Sequence, residues 1–262
     1  MRRAAFALLV GVSLPAPALA RDFCPDRPRR ANPPCVIEPG RVDVEASLVD
    51  WSRASTPGAS QDQWLIGDLL VRTGLNPAVE ARIGLTSYGV TRTYDPAGVA
   101  HDYAAGDLSL GLRWNLAHPG GSGASVALQP TLTLPTGGRA IGAGTWGAAL
   151  ALPASFDLGH GASLGFTPQV AAAPNIDRRD WHLAYSGALA LGHALTKRLA
   201  ASAEVYAARD EAPDRADRAS PDPALALALK LGSETQFDSS AYLGLTPDTP
   251  DVEAIVGIAH RF

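Results

Sequence analysis

From Arg41 to its end the chain alternates apolar and polar residues in short runs, and in five of these runs two charges fall on the same side of the alternation. The pairs are Asp43 and Glu45, Asp68 and Arg72, Glu80 and Arg82, Asp107 and Arg113, and Glu253 and Arg261. Successive side chains of a strand point to opposite faces. Each run therefore has one face for water and one for an apolar medium. The apolar sets include Val42/Val44/Leu48, Leu65/Leu69/Val71, Val79/Ala81/Ile83/Leu85, Leu108/Leu110/Leu112/Trp114, Val126/Leu128/Leu132/Leu134 and Leu225/Leu227/Leu229/Leu231. Although 46% of residues are hydrophobic, no run after the N-terminal stretch approaches the 18 apolar residues a spanning helix requires. The pattern excludes helical membrane spans and leaves a β-protein.

Clusters of Gly, Pro, Asp and Asn divide the chain into strands expected at 42–51, 63–73, 79–87, 106–116, 124–135, 145–156, 162–172, 181–192, 198–208, 223–231, 236–245 and 252–262. Twelve is an even number, as single-chain bacterial barrels require. A soluble sandwich alternates too, so two further patterns bear on the choice. Connections near 52–62, 88–105, 136–144, 173–180, 209–222 and 246–251 are mostly long and polar, whereas those between them are tight. Transmembrane barrels show this asymmetry. Trp51, Trp64, Trp146 and Trp181 fall at strand ends on the long-loop side and Trp114 at the other, where an interfacial belt would lie; buried core tryptophans are the rival reading. The expectation is an all-β, antiparallel up-and-down transmembrane barrel of about twelve strands over residues 41–262. Two features oppose it. Pro130, Pro153 and Pro168 sit inside expected strands and must occupy bulges, and His182–Arg209 is rich in the helix formers Ala and Leu.

The ends supply the address. Residues 1–20 have the layout of a cleavable export signal, with Arg2 and Arg3, an apolar stretch from Ala4 to Leu14, and Ala18-Leu19-Ala20. Its removal takes the net charge from −4 to −6, which gives no electrostatic case for nucleic acid. The final strand stops on Phe262, read as the insertion signal for barrel-assembly machinery, so the expected location is the outer membrane, in contact with its lipid. Between the two lies a proline-rich segment, 21–40, expected to be a plug or periplasmic clamp. It holds the only two cysteines, Cys24 and Cys35, which an exported chain would join in a disulfide.

These residues resemble those of a known group, the outer-membrane transporter family named for the MetA pathway of phenol degradation. The resemblance rests on Phe23-Cys24-Pro25-Asp26-Arg27-Pro28 with Pro33-Pro34-Cys35, and on Leu65-Ile66-Gly67-Asp68 with Val71-Arg72. It continues through Gly106-Asp107-Leu108-Ser109-Leu110-Gly111-Leu112, then Ala127-Leu128-Gln129-Pro130 with Leu134-Pro135-Thr136-Gly137, and Ile141-Gly142-Ala143-Gly144-Thr145-Trp146-Gly147. Pro250-Asp251-Val252-Glu253 and the Phe262 end complete it. It implies a barrel passing small, often aromatic or hydrophobic, solutes, and strand prolines as a shared trait. It implies no catalytic residue.

The residues expected to line the lumen are Asp68, Arg72, Glu80, Arg82, Asp107, Arg113, Gln129, Glu204, Lys230, Glu253 and Arg261, with Asp68–Arg72, Glu80–Arg82 and Asp107–Arg113 as candidate ion pairs. They either form a paired wet lining that lets the sheet close or set which solutes pass. Gly142–Gly147 matches G-x-G-x-x-G but leads from a loop into a strand, the wrong setting for a dinucleotide. The six histidines show no metal-ligand spacing, and neither cofactor nor metal is expected. Ser186 and His182 share a strand and a parity but lack a third partner for hydrolysis. The expected function is passive passage of small molecules, not enzymatic, with selectivity from lumen charges and the loops 88–105 and 209–222. The alternatives are a structural barrel and, less favoured, a barrel lipid hydrolase.

Overall fold

The computed structural model describes residues 21–175, 178–211, 220–247 and 249–262. The export signal expected at 1–20 and most of the loop expected at 209–222 lie outside the described residues. Residues 42–262 form one antiparallel sheet that closes on itself. Its strands are β1 (Val42–Thr56), β2 (Ala59–Asn76), β3 (Val79–Asp95), β4 (Gly98–Ala104), β5 (Leu108–Ala117), β6 (Ala124–Leu134), β7 (Gly147–Ala151), β8 (Ala154–Gly159), β9 (Ala162–Pro174), β10 (Trp181–Ala194), β11 (Leu199–Asp210), β12 (Ser220–Lys230), β13 (Thr235–Leu243) and β14 (Val252–Arg261). No helix occurs among the described residues. The alanines of β10 and β11 pair as strands throughout, because cross-strand bonding and burial override intrinsic helix preference.

Twelve staves make the wall. β7 and β8 both lie between β6 and β9 and are two halves of one stave, while β4 pairs only with the upper part of β3. The seam joins β1 to β14, from Asp43↔Arg261 to Arg53↔Val252, and the Phe262 amide donates to the Val42 carbonyl at 2.8 Å. Closure leaves no unpaired edge, which a sheet in hydrocarbon cannot tolerate.

The prolines sit where the ladder is already interrupted. Pro153 separates β7 from β8. The β5–β6 pairing skips from Gly111↔Thr131 to Trp114↔Leu128, opposite Pro130. Across the break, the Ala127 amide donates to the Pro153 carbonyl at 2.8 Å and the Leu152 amide to the Pro168 carbonyl at 2.9 Å. Three missing donors are thus gathered in one place instead of weakening three.

Two expectations need correction. Residues 52–62 and 88–105 are strand, not loop. β1 and β2 run on to a two-residue turn at Pro57-Gly58, where Gly58 has φ +84°, and β3 turns back as β4. Beyond the apolar band both faces of a strand are polar, so hydropathy stops reporting a ladder that continues. Leu65, expected on the apolar face, points the other way. The β1–β2 pairing jumps from Ser47↔Asp68 to Asp50↔Leu65, and Gly67 takes the left-handed φ of +62°. Leu48, Val49, Ile66 and Tyr88 are all exposed along this line. The bulge row flips parity, so Leu65 approaches Gly89 and Ile141 instead.

The outer wall is apolar, carrying Leu110, Leu112, Leu132, Phe166, Leu189, Leu191, Val205, Leu225 and Leu227 among its exposed residues. Trp51 pairs with Trp64 across β1 and β2, and Trp146 meets Trp181 with ring centroids 4.5 Å apart at that same end, while Trp114 lies on β5 near the tight turns. Among the described residues, the five largest fully buried side chains are all charged: Arg72, Arg113, Glu45, Glu80 and Asp43.

Candidate functional site

The lumen is occupied at its tight-turn end by residues 21–40, which cross it in extended form. The Cys24–Cys35 disulfide closes the loop of this segment. Its groups reach staves all round the wall: Asn115 Nδ2 donates to the Pro34 carbonyl at 2.8 Å, Thr167 Oγ1 to the Asn32 carbonyl at 3.2 Å, and the Val36 amide to the Pro119 carbonyl at 3.1 Å. Gly74 on β2 lets the chain pass, since a Cβ there would come within 2.4 Å of the Ile37 and Glu38 carbonyls.

One ion network holds the segment. Arg113 grips Asp26 with both terminal nitrogens, each 2.8 Å from a carboxylate oxygen, and Arg82 binds the same carboxylate. Arg72 donates to Glu80 at 2.9 and 3.0 Å and to Glu45 at 3.0 Å, and also to the Cys24 carbonyl at 3.0 Å. Gln129 accepts from Arg113 at 2.9 and 2.7 Å. The register explains the arrangement. Arg72 and Arg82 are direct cross-strand partners, as are Glu80 and Arg113, so Asp26, Glu45 and Glu80 balance three crowded guanidiniums. Burial pushes the Asp26 carboxyl up, but Arg113, Arg82 and Arg72 outweigh it and hold the group well below the usual carboxylate range.

The rest of the segment is tied to the opposite wall. Arg27 pairs with Asp238 at 3.0 Å and donates to Ser47 Oγ at 2.7 Å. Arg30 pairs with Glu253 at 2.5 Å and lies over the rings of Tyr206 and Tyr242. Glu204 accepts from the Arg30 amide at 3.1 Å, the Ala31 amide at 2.8 Å and Tyr242 Oη at 3.1 Å. Arg261 reaches Glu38 at 3.4 Å and the Arg21 carbonyl at 3.1 Å.

Of the expected ion pairs, Glu80–Arg82 is present at 2.7 Å and the other two are not. Asp68 accepts from Thr86 at 2.8 Å. Asp107 accepts from the amides of Gly137 and Ala143, each at 2.7 Å, and so fastens the loop 136–144 over the mouth, with Ile141 against Gly89 and Gly106. Lys230 lies at the tight-turn end of β12, opposite Gln236. Sequence reasoning missed Asp26 and the roles of Arg27, Arg29 and Arg30. Their signal was four charges within five residues of a proline-rich segment facing a charged lumen.

Two cavities flank the segment. One, of about 230 Å³, faces Glu45, Asp50, Asp68, Arg30, Arg82 and Tyr242. The other, of about 260 Å³, lies nearer the tight turns, between the segment and β9–β13. Among the described residues no group of three or more His, Cys, Asp or Glu side chains is placed to hold a metal ion.

A closed twelve-stave wall, apolar outside and charged within, is the architecture of outer-membrane β-barrels. The family described as "Putative MetA-pathway of phenol degradation" matches residues 25–262, and the chain belongs to it. Among solved structures it is similar to the COG4313 outer membrane channel from Pseudomonas putida F1, with a TM-score of 0.66 at 12% identity, covering 87% of this chain and 97% of that one. It also resembles the NanC porin (TM-score 0.53, 8% identity, 84% and 98% covered) and the KdgM porin (TM-score 0.51, 8% identity, 85% and 99% covered). No curated protein sequence matches the chain.

Proposed function

We propose that this protein is a passive channel of the outer membrane for small molecules, with residues 41–262 as the barrel, 21–40 as its plug and 1–20 as the export signal. The observation that carries the reading is the Asp26 network, which fixes a chain segment across the lumen through side chains instead of through a packed apolar core. A lumen filled for strength alone would be better served by apolar packing, because buried ion pairs are costly relative to hydrophobic replacements. Similarity to an outer membrane channel and to porins supports the same reading. Lipid contacts the apolar outer wall, Phe262 addresses the chain to assembly machinery, and Arg72, Arg82, Arg113, Glu80, Glu204 and Glu253 act on solutes chiefly by setting where the plug lies. The solutes are small, with aromatic or hydrophobic compounds the favoured class. The reading is of a non-enzyme: the ring nitrogens of His182 face Asn175, at 2.7 Å, and Asp210, and not Ser186.

The test is reconstitution of the mature protein in planar bilayers, alongside a variant lacking residues 21–40. Small, noisy conductance in the first and large, steady conductance in the second is the expected result. Equal conductance in both counts against the plug. The absence of flux for every solute, in both proteins, favours a purely structural barrel, a reading that the density of plug-to-wall bonds keeps in play.

A further inference from the structure

The lumen is rich in carboxylates, yet the cavity of about 260 Å³ beside the plug has none among its lining residues. Its surface is made of Phe23, prolines and small residues of β9–β13, with Ser163, Ser202, Gln236 and His193 as polar groups. Two guanidiniums reach it. Arg27 is engaged by Asp238 and Ser47. Arg29 makes no side-chain hydrogen bond or ion pair among the described residues. The acid that acts on it most strongly, Glu204, already accepts from two plug amides and from Tyr242. Gly192 clears the space, since a Cβ there would lie 3.2 Å from Arg29 Nη1. Burial pushes the Arg29 guanidinium below its ordinary value, while Glu204 pulls it the other way.

A planar, always-charged donor half-buried in a lumen, with no hydrogen bond or ion pair among the described residues, is an unfilled half of a charge-assisted, bidentate interaction. The apolar walls around it suit a ligand with an uncharged body. We propose that this cavity is a binding site for a small organic carboxylate with an apolar body, its carboxylate on Arg29 and its body against Phe23 and the prolines of the plug. The site deepens the channel reading by naming a solute class, but binding can be measured without flux.

The experiment is calorimetric titration of the mature protein in detergent with benzoate, and with benzamide as its neutral counterpart. Benzoate is expected to bind at least about tenfold more tightly than benzamide. Arg29→Gln should reduce benzoate to the benzamide level, and Arg29→Lys should retain most of the preference. Ala226→Met fills the cavity from the wall without touching the guanidinium and should abolish binding of both probes; β-type circular dichroism checks that each variant is folded. Equal binding of the two probes by the unaltered protein overturns the proposal. So does undiminished benzoate binding in folded Arg29→Gln or, should that variant not fold, in Ala226→Met. Benzoate binding without any flux would keep the site and sink the channel instead.

Discussion

The two halves of the wall treat the same plug differently. Staves β1 to β6 present Asp43, Glu45, Arg72, Glu80, Arg82, Arg113 and Gln129 to the lumen, all of them buried. Staves β7 to β12 present Ala151, Gly165, Ala188, Ala190, Gly192, Ser202, Ala224 and Ala226, and Glu204 is the acid there that is buried against the segment. On the first side long side chains reach inward and seize Asp26. On the second the backbone itself comes close: Ala31 packs on Ala188 and Ala190, and the space left over is a cavity. The plug is fixed by ions along β1 to β6 and by small-residue contact along β7 to β12, with β13 and β14 between them adding the Arg27–Asp238 and Arg30–Glu253 pairs. The first contact can be loosened without disturbing the second.

Breaking the ionic side should have the largest effect. Removing one partner of a buried pair strands the other charge, at a cost of about 3–5 kcal/mol. Arg113→Ala is expected to lower the unfolding free energy in detergent by that order and to raise conductance. Asp26→Asn, which changes charge and not shape, should raise conductance with a smaller loss of stability. An unfolding curve and a bilayer recording on each variant check this; unchanged conductance in both would mean that the network does not hold the plug. On the small side, Ala190→Leu has no room, since Ala190 is fully buried against Ala31. Overpacking costs about 1–3 kcal/mol. The plug should be pushed off that wall while the Asp26 network remains, so conductance should change less than in Arg113→Ala.

The same asymmetry explains what the sequence could disclose. Charges at period two along β1 to β5 revealed both the strands and the face of the lumen, because a buried charge has to lie on the wet side. Alanine reports neither face nor element type, so Ala188, Ala190, Ala224 and Ala226 were legible only through the leucines between them. Leu65 was misread because a bulge spends one residue without leaving a hydropathy mark; Gly67 in Leu65-Ile66-Gly67-Asp68 was its one trace. The partners of Arg72 and Arg113 were hidden for a different reason. Asp26 lies outside the strands, and no periodicity connects an extended segment to the wall it crosses. Strands β3 and β4 beyond the apolar band escaped notice because water on both faces erases alternation.

Acid separates the two halves without mutation. A carboxylate whose folded value is depressed contributes stability that is present above its unfolded value and is lost only as pH falls through the folded one. Since Asp26 is held well below the ordinary range, its grip should survive mild acid. The plug should therefore stay seated at pH 4.5, and deleting residues 21–40 should raise conductance there as it does at pH 7. Loss of that difference at pH 4.5 would show Asp26 titrating as an ordinary carboxyl and the network weaker than its geometry implies.

The smallest effect sharpens the comparison most, because it uses the same chemistry in another place. Arg53 and Asp62 form an arginine–carboxylate pair at 3.4 Å near the end of the β1–β2 hairpin, where the Arg53 side chain is 45% exposed. Water solvates that guanidinium when its partner is gone, so the stranded charge that makes Arg113→Ala costly does not arise. Such pairs contribute about 0.2–1 kcal/mol. Asp62→Asn should lower the unfolding free energy by no more than that, with conductance unchanged, and added salt should erase even the small difference. A large loss from Asp62→Asn would mean that burial is not what distinguishes the lumen pairs. The strength of the plug's hold would then have to come from the covalent loop and its backbone contacts, and not from the guanidiniums of β2, β3 and β5.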